Sequence, residues 1–235
     1  MESFIVKQVR RLPGCLIFLL ATQLILCDAC REHKVRPLVT SAADSAALKQ
    51  KIANAFQSIK SLEKEIRSGD LVTRTGNDFT SQSLRKLNRR DKTYSHCGIA
   101  SIENDSLFIY HAIGGEWNPD EKLKRDPWVL FAEPYSNNAI GIFRFDLDAV
   151  SRKQLISGVH NFYTEGLPFD MDFDLETDDR MYCAEFVSKS ITKATNKEIE
   201  FTPSRINKFI FVGVDDLFLH PSSKKVNEMH YQHKH

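Results

Sequence analysis

Apolar residues recur at steps of three and four through Leu48, Ile52, Phe56, Ile59, Leu62 and Ile66, the spacing that lays one stripe along a helix. Ser68-Gly69-Asp70 closes that pattern, with Gly69 suited to a left-handed cap. Residues 71–74 then read as a short strand, and 80–87 as a helical turn or short helix. Alternation over 94–102 and the run 107–113 predict two antiparallel strands joined at Glu103-Asn-Asp-Ser106. Gly114-Gly115 ends the second strand, and 128–132 and 139–145 are further strand candidates. Residues 147–164 read as a helix with Val150, Leu155, Val159 and Phe162 on one side. Phe169-Asp-Met-Asp-Phe-Asp174 alternates apolar and acidic residues, which suits either a strand with one wet face or an extended loop. Residues 182–194 read as a helix, and the polar tail from about Pro221 is expected to be flexible. No internal repeat and no second domain's core is visible in the pattern. The pattern predicts an α+β fold with helices packed on one antiparallel sheet.

The first thirty residues stand apart. Lys7, Arg10 and Arg11 precede a mostly apolar run from Leu12 to Leu26, broken by Pro13 and Gln23. That suits an export signal better than a permanent span. Cys30 follows Ala29 as the first residue of a lipoprotein would, but Cys27 stands where the lipobox has Leu. Lipidation at Cys30, plain secretion and a retained anchor all stay open. The expected organisation is a leader over 1–30, a tether over 31–47, one domain over 48–220 and a polar tail over 221–235. The chain is expected to be exported, to the cell envelope or beyond, and to meet a membrane only through its leader or lipid. With a formal net charge of +1, no broad field favours nucleic acid.

Of five cysteines, only Cys97 and Cys183 fall in the folded part. A free thiol in an exported protein needs a reason. Cys183 stands in Met181-Tyr-Cys-Ala-Glu-Phe-Val187, in the first turn of the last long helix. The helix dipole and free N–H groups there favour a thiolate. His96 is placed to take the thiol proton and later to protonate the leaving group, and His111 to orient His96. Whether the two histidines share a sheet face depends on the turn register. Cys97 follows His96 directly and so points to the opposite face, toward the core, away from Cys183.

These blocks carry a family resemblance. Ser68-Gly-Asp-Leu-Val72, Tyr94-Ser-His-Cys-Gly-Ile99 and Met181-Tyr-Cys-Ala-Glu-Phe-Val187 follow one another in the order of the YiiX-type hydrolases. Those are circularly permuted members of the NlpC-type branch of the papain-like cysteine peptidases. The resemblance spans about residues 66–190 and implies a papain-like sheet or half-barrel, with Cys183 as nucleophile and His96 as base. The family's third polar residue is often a glutamate on the following strand. Here His111 takes that place, as in the related lecithin:retinol acyltransferase-like branch. Glu185 is implied as a structural or supporting group. Tyr94, Tyr182 and Trp117 are candidates to line the pocket, with aromatic packing the competing role for the two tyrosines.

The resemblance implies an amide substrate, either a cell-wall peptide or another γ-glutamyl or N-acyl linkage, with no cofactor. A lipid esterase, an acyltransferase or a ligand-binding module of the envelope are the alternatives. Asp170, Asp172, Asp174, Asp178 and Asp179 lack the spacing of a calcium loop and read as a solvated loop or an acidic rim. The histidines at 220, 230, 233 and 235 lack the partners of a zinc site and read as tail. No metal is expected.

Overall fold

The computed structural model describes residues 42–115 and 118–231. The leader with Cys30, most of the expected tether, Trp117 and the last four residues lie outside the described residues.

The first helix, α1 (Ala42–Glu63), begins within the expected tether. Its stripe is buried only toward the far end, where Ile59, Leu62 and the following Ile66 meet the sheet while Leu48 stays exposed. The helix ends at Glu63, so Gly69 does not cap it as expected; it takes φ 88° in a turn closed by Asp70 N donating to Arg67 O at 3.0 Å. The chain then enters β1 (Leu71–Gly76), a short α2 (Phe79–Leu84), β2 (His96–Glu103) and β3 (Ser106–His111). Asn104 and Asp105 join β2 to β3 with φ of 48° and 62°, the two-residue turn whose twist matches a hairpin.

Next come β4 (Lys124–Pro127), α3 (Trp128–Phe131), β5 (Asn137–Phe145), α4 (Ala149–Glu165) and α5 (Cys183–Ala194). The chain ends with β6 (Ser204–Ile206), β7 (Phe209–Phe211), α6 (Val214–Phe218) and β8 (Ser223–His230). Asp148 caps the start of α4 by accepting from Ser151 N at 2.6 Å, and Gly166 at φ 72° closes it.

Among the described residues the strands form an antiparallel sheet in the order β4-β3-β2-β1-β5-β8, plus the hairpin β6-β7. Side chains alternate between two cores. One face carries Leu71, Cys97, Ile99, Tyr110 and Phe143 against α4, α5 and α6. The other carries Val72, Ala100, Ile109, Ile140 and Ile142 against α1 and α3. Trp128 Nε1 donates to Ile59 O at 2.9 Å and fixes α1 to α3.

Two further expectations change, and one of two open readings is selected. Residues 128–131 form a helical turn, because Trp128 and Phe131 are buried on one side while Val129 and Leu130 face outward. A strand would have placed neighbouring residues on opposite faces. Residues 169–174 are a loop: the buried Asp170 carboxylate accepts from Asp172 N at 2.8 Å and Asp174 N at 2.6 Å. The polar tail is ordered through β8, which pairs with β5 from Phe145↔Ser223 to Ala139↔His230. An edge strand with one wet face keeps polar residues, while Val226 and Met229 pack inward.

Candidate active site

The register of the β2–β3 hairpin decides where the histidines point. Ile99 pairs with Tyr110, so His96 and His111 fall on one face, with Gly98 between them. A Cβ on Gly98 would stand 2.6 Å from Tyr110 O, 2.8 Å from Ile109 Cγ2 and 2.9 Å from His111 Cβ. The missing side chain lets the imidazoles meet: His96 Nε2 and His111 Nδ1 are 2.9 Å apart. On the other side of His111, Nε2 lies 3.0 Å from Asp126 Oδ2. Phe131 closes over both rings, with centroids 6.0 Å from His96 and 5.1 Å from His111. Arg74, paired with His96 across β1 and β2, lays its guanidinium 4.7 Å from the Phe131 ring and donates to Phe131 O at 3.2 Å.

Cys183 opens α5 on the other side of the sheet. The expectation for Cys97 is half right. It does turn from His96 into the core, where it is fully buried, but α5 packs on that same face. Cys97 therefore touches the sulfur of Cys183 instead of avoiding it. Both thiols are free. Cys183 is held below the usual thiol range first by the Cys97 thiol, which donates to its sulfur, and then by the N–H groups of Cys97, Ala184 and Cys183, against the opposing effect of burial. Cys97 is pushed well above that range by burial and by the same contact.

His96 and Cys183 line one cavity of about 60 Å³ at the end of the sheet where β2 begins. No hydrogen bond joins them directly; the bonded nitrogen of His96 is Nε2, toward His111. Its Nδ1 is free of hydrogen bonds among the described residues. The rest of the lining is mainly apolar, including Leu84, Leu87, Ile113, Phe169, Phe173 and Val214. Tyr182 lines it too, anchored by Val212 N, which donates to its hydroxyl at 2.7 Å. Tyr94 does not. It precedes β2 and sits in the core edge-on to Phe143 and Phe218. Glu185 is fully buried, accepts from Tyr182 N at 3.2 Å and pairs with Lys189 at 2.9 Å. It thus fastens the start of α5, and burial pushes its carboxyl up to about 7.

Burial, with Arg74 and His111 nearby, holds His96 well below its usual 6.5. His111 is lowered by burial against the pull of its Asp126 bond. The unfolded chain therefore binds these protons first, so stability is full above about pH 6.5 and falls as pH drops below it. Unfolding in urea at pH 7.5 and 5.5 is expected to show that His96 contributes up to about 1.4 kcal/mol of this loss. Measured against His96→Gln, the same difference should shrink by that amount; an unchanged difference would remove His96 as its source.

Sequence reasoning missed Asp126, Arg74 and the role of Cys97. Arg74 was legible only as a strand residue. Asp126 belongs to a four-residue strand too short to alternate visibly.

The arrangement is that of an α+β protein with a thiol at a helix N-terminus and a histidine pair at the end of an antiparallel sheet. Among solved structures, the chain is similar to metalloprotein YiiX from Escherichia coli O157:H7, with a TM-score of 0.57 and 19% identity over 70% of this chain and 98% of that one. The likeness is one of fold. No family model and no curated protein matches the chain. Among the described residues, no three His, Cys, Asp or Glu side chains converge as metal ligands. His96, His111 and Asp126 are bonded in series, so both nitrogens of His111, Nε2 of His96 and the Asp126 carboxylate are engaged with one another and not aimed at a common point; they do not fit a metal's ligand set. No helix among the described residues is long and apolar enough to cross a membrane.

Proposed function

We propose that the protein is an exported cysteine hydrolase of the permuted NlpC type, acting on an amide bond in a cell-wall peptide or another N-acyl or γ-glutamyl linkage. The observation that carries this reading is the single cavity holding a thiol favoured as thiolate and a neutral imidazole backed by a second one. His96 draws the proton from Cys183, directly or through one water. The thiolate attacks the carbonyl carbon, and the Cys183 and Ala184 N–H groups stabilise the oxyanion. The proton returns to the leaving amine, and water then releases the acyl group. Asp170 and its acidic neighbours act as a hydrogen-bonded loop, and no organic cofactor takes part. In this reading the segment before residue 42 carries the chain to the cell envelope, with Cys30 as its lipid attachment or its leader removed.

A second reading has an observation of its own. The apolar lining beside Cys183 suits the chain of an acyl ester, so a lipid esterase or acyltransferase uses the same chemistry on a different leaving group.

Iodoacetamide labelling near pH 7 tests the dyad. Cys183 should alkylate fast, and His96→Ala should slow it roughly a hundredfold. Equal labelling in both proteins, or a Cys183 that resists the reagent while folded, ends the enzyme reading. A panel of cell-wall fragments and acyl esters then separates the two substrates.

A further inference from the structure

A histidine base is useful only if its free nitrogen faces the proton it must take. Each neutral imidazole carries one N–H and one lone pair, and the partner of one nitrogen fixes the state of the other. The pair here is anchored at one end by a carboxylate. Asp126 stands opposite Ile109 in the β3–β4 pairing and so shares a face with His111 two residues on. Its Oδ2 lies 3.0 Å from His111 Nε2. A carboxylate only accepts, so His111 Nε2 must carry the hydrogen. His111 Nδ1 is then a lone pair, and His96 Nε2, 2.9 Å away, must donate to it. That leaves the lone pair of His96 on Nδ1.

We propose that Asp126 is a positioning residue that sets the tautomers of His111 and His96 in turn, leaving His96 Nδ1 as the proton acceptor for Cys183. The last step rests on the hydrolase reading; the two tautomers do not. When the S–H bond of Cys183 breaks, its proton binds Nδ1 and His96 becomes an imidazolium whose Nε2–H still points to His111. The same proton leaves from Nδ1 to the departing group. Among the described residues, the cations Arg74 and Lys124 both oppose protonation of His111. Asp126 is the nearby charge that offsets them. It is 26% exposed at the rim, so its replacement leaves the two cores intact.

The test uses the full chain with ¹⁵N-labelled histidine. Long-range proton–nitrogen correlation should show His96 and His111 both as Nε2–H. An asparagine can donate as well as accept. In Asp126→Asn the order can therefore reverse, with His111 carrying its hydrogen on Nδ1 and His96 forced to carry one on Nδ1, where the thiol proton must go. The variant should show that shift and a fall of roughly tenfold or more in Cys183 alkylation by iodoacetamide near pH 7, by the same tautomer argument. Asp126→Glu should restore both toward wild type. A wild-type His96 with its hydrogen on Nδ1 overturns the proposal, without any variant having to fold. So does an Asp126→Asn protein whose tautomers and labelling both match wild type. If instead labelling ignores His96→Ala, the hydrolase reading fails, while the nitrogen signals still decide the role of Asp126.

Discussion

Cys183→Ala should abolish turnover of whatever substrate the panel identifies, lowering kcat by roughly 10⁴-fold or more. The sulfur forms the covalent bond in the proposed reaction, and no neighbour can replace it. Among the described residues Cys97 is the other thiol, but burial and the contact with Cys183 hold it protonated. It also faces the packed core and has no direct route to substrate. Cys183→Ser is the sharper variant, because it keeps the shape of the site and exchanges a sulfur held below the usual thiol range for a hydroxyl that stays protonated. Circular dichroism and urea midpoints should remain near wild type in both. Turnover within tenfold of wild type in the alanine variant would place the chemistry elsewhere.

Asp70→Ala should cost about 2–3 kcal/mol of stability, above a surface pair and below a fully buried one, because the Arg144 side chain is 23% exposed. Asp70 is fully buried. Its carboxylate accepts from Arg144 Nε at 2.8 Å, from Arg144 Nη2 at 2.7 Å and from Arg67 N at 2.8 Å. Alanine orphans that backbone N–H and leaves the guanidinium without its counter-charge. The backbone around Asp70 is also a junction: Ala100 N donates to Asp70 O at 2.9 Å, and Gly69 N to Ala100 O at 2.8 Å. The pair thus ties the exit of α1 to β5, while the backbone bonds tie it to the strand that carries His96. Urea denaturation at pH 7 checks the value, and a loss under about 1 kcal/mol would show the pair to be no better than a surface one. Asp70→Asn, which keeps an acceptor for Arg67 N, should lose less than alanine.

The Gly-Asp block has a physical reason in these contacts: glycine for the left-handed turn, aspartate for the buried pair. The His-x-Gly block has another, since Gly98 clears the space in which His111 leans toward His96. The left-handed glycine was legible in the sequence; the buried pair and the clearance at Gly98 were not, because each involves another strand.

The sequence by itself determined most of the elements, because amphipathic period and turn residues are local properties. The stripe ending at Ile66, the Asn104-Asp105 turn and the helix behind Cys183 were all legible for that reason. It also supplied Cys183, His96 and His111 as a set. It misjudged segments whose character depends on what covers them. Residues 128–131 look like a strand until burial selects Trp128 and Phe131 alone, and 223–230 looks like a loose tail until β5 pairs with it. Only the tertiary structure decided which side of the sheet α5 would occupy. That choice brought Cys97 against Cys183 and set His96 to reach the cavity beside Cys183 from the opposite face. Only pairing between distant strands delivered Asp126 to His111. Such meetings depend on register and layer order, which are settled by the packing of the whole chain and not by any stretch of it.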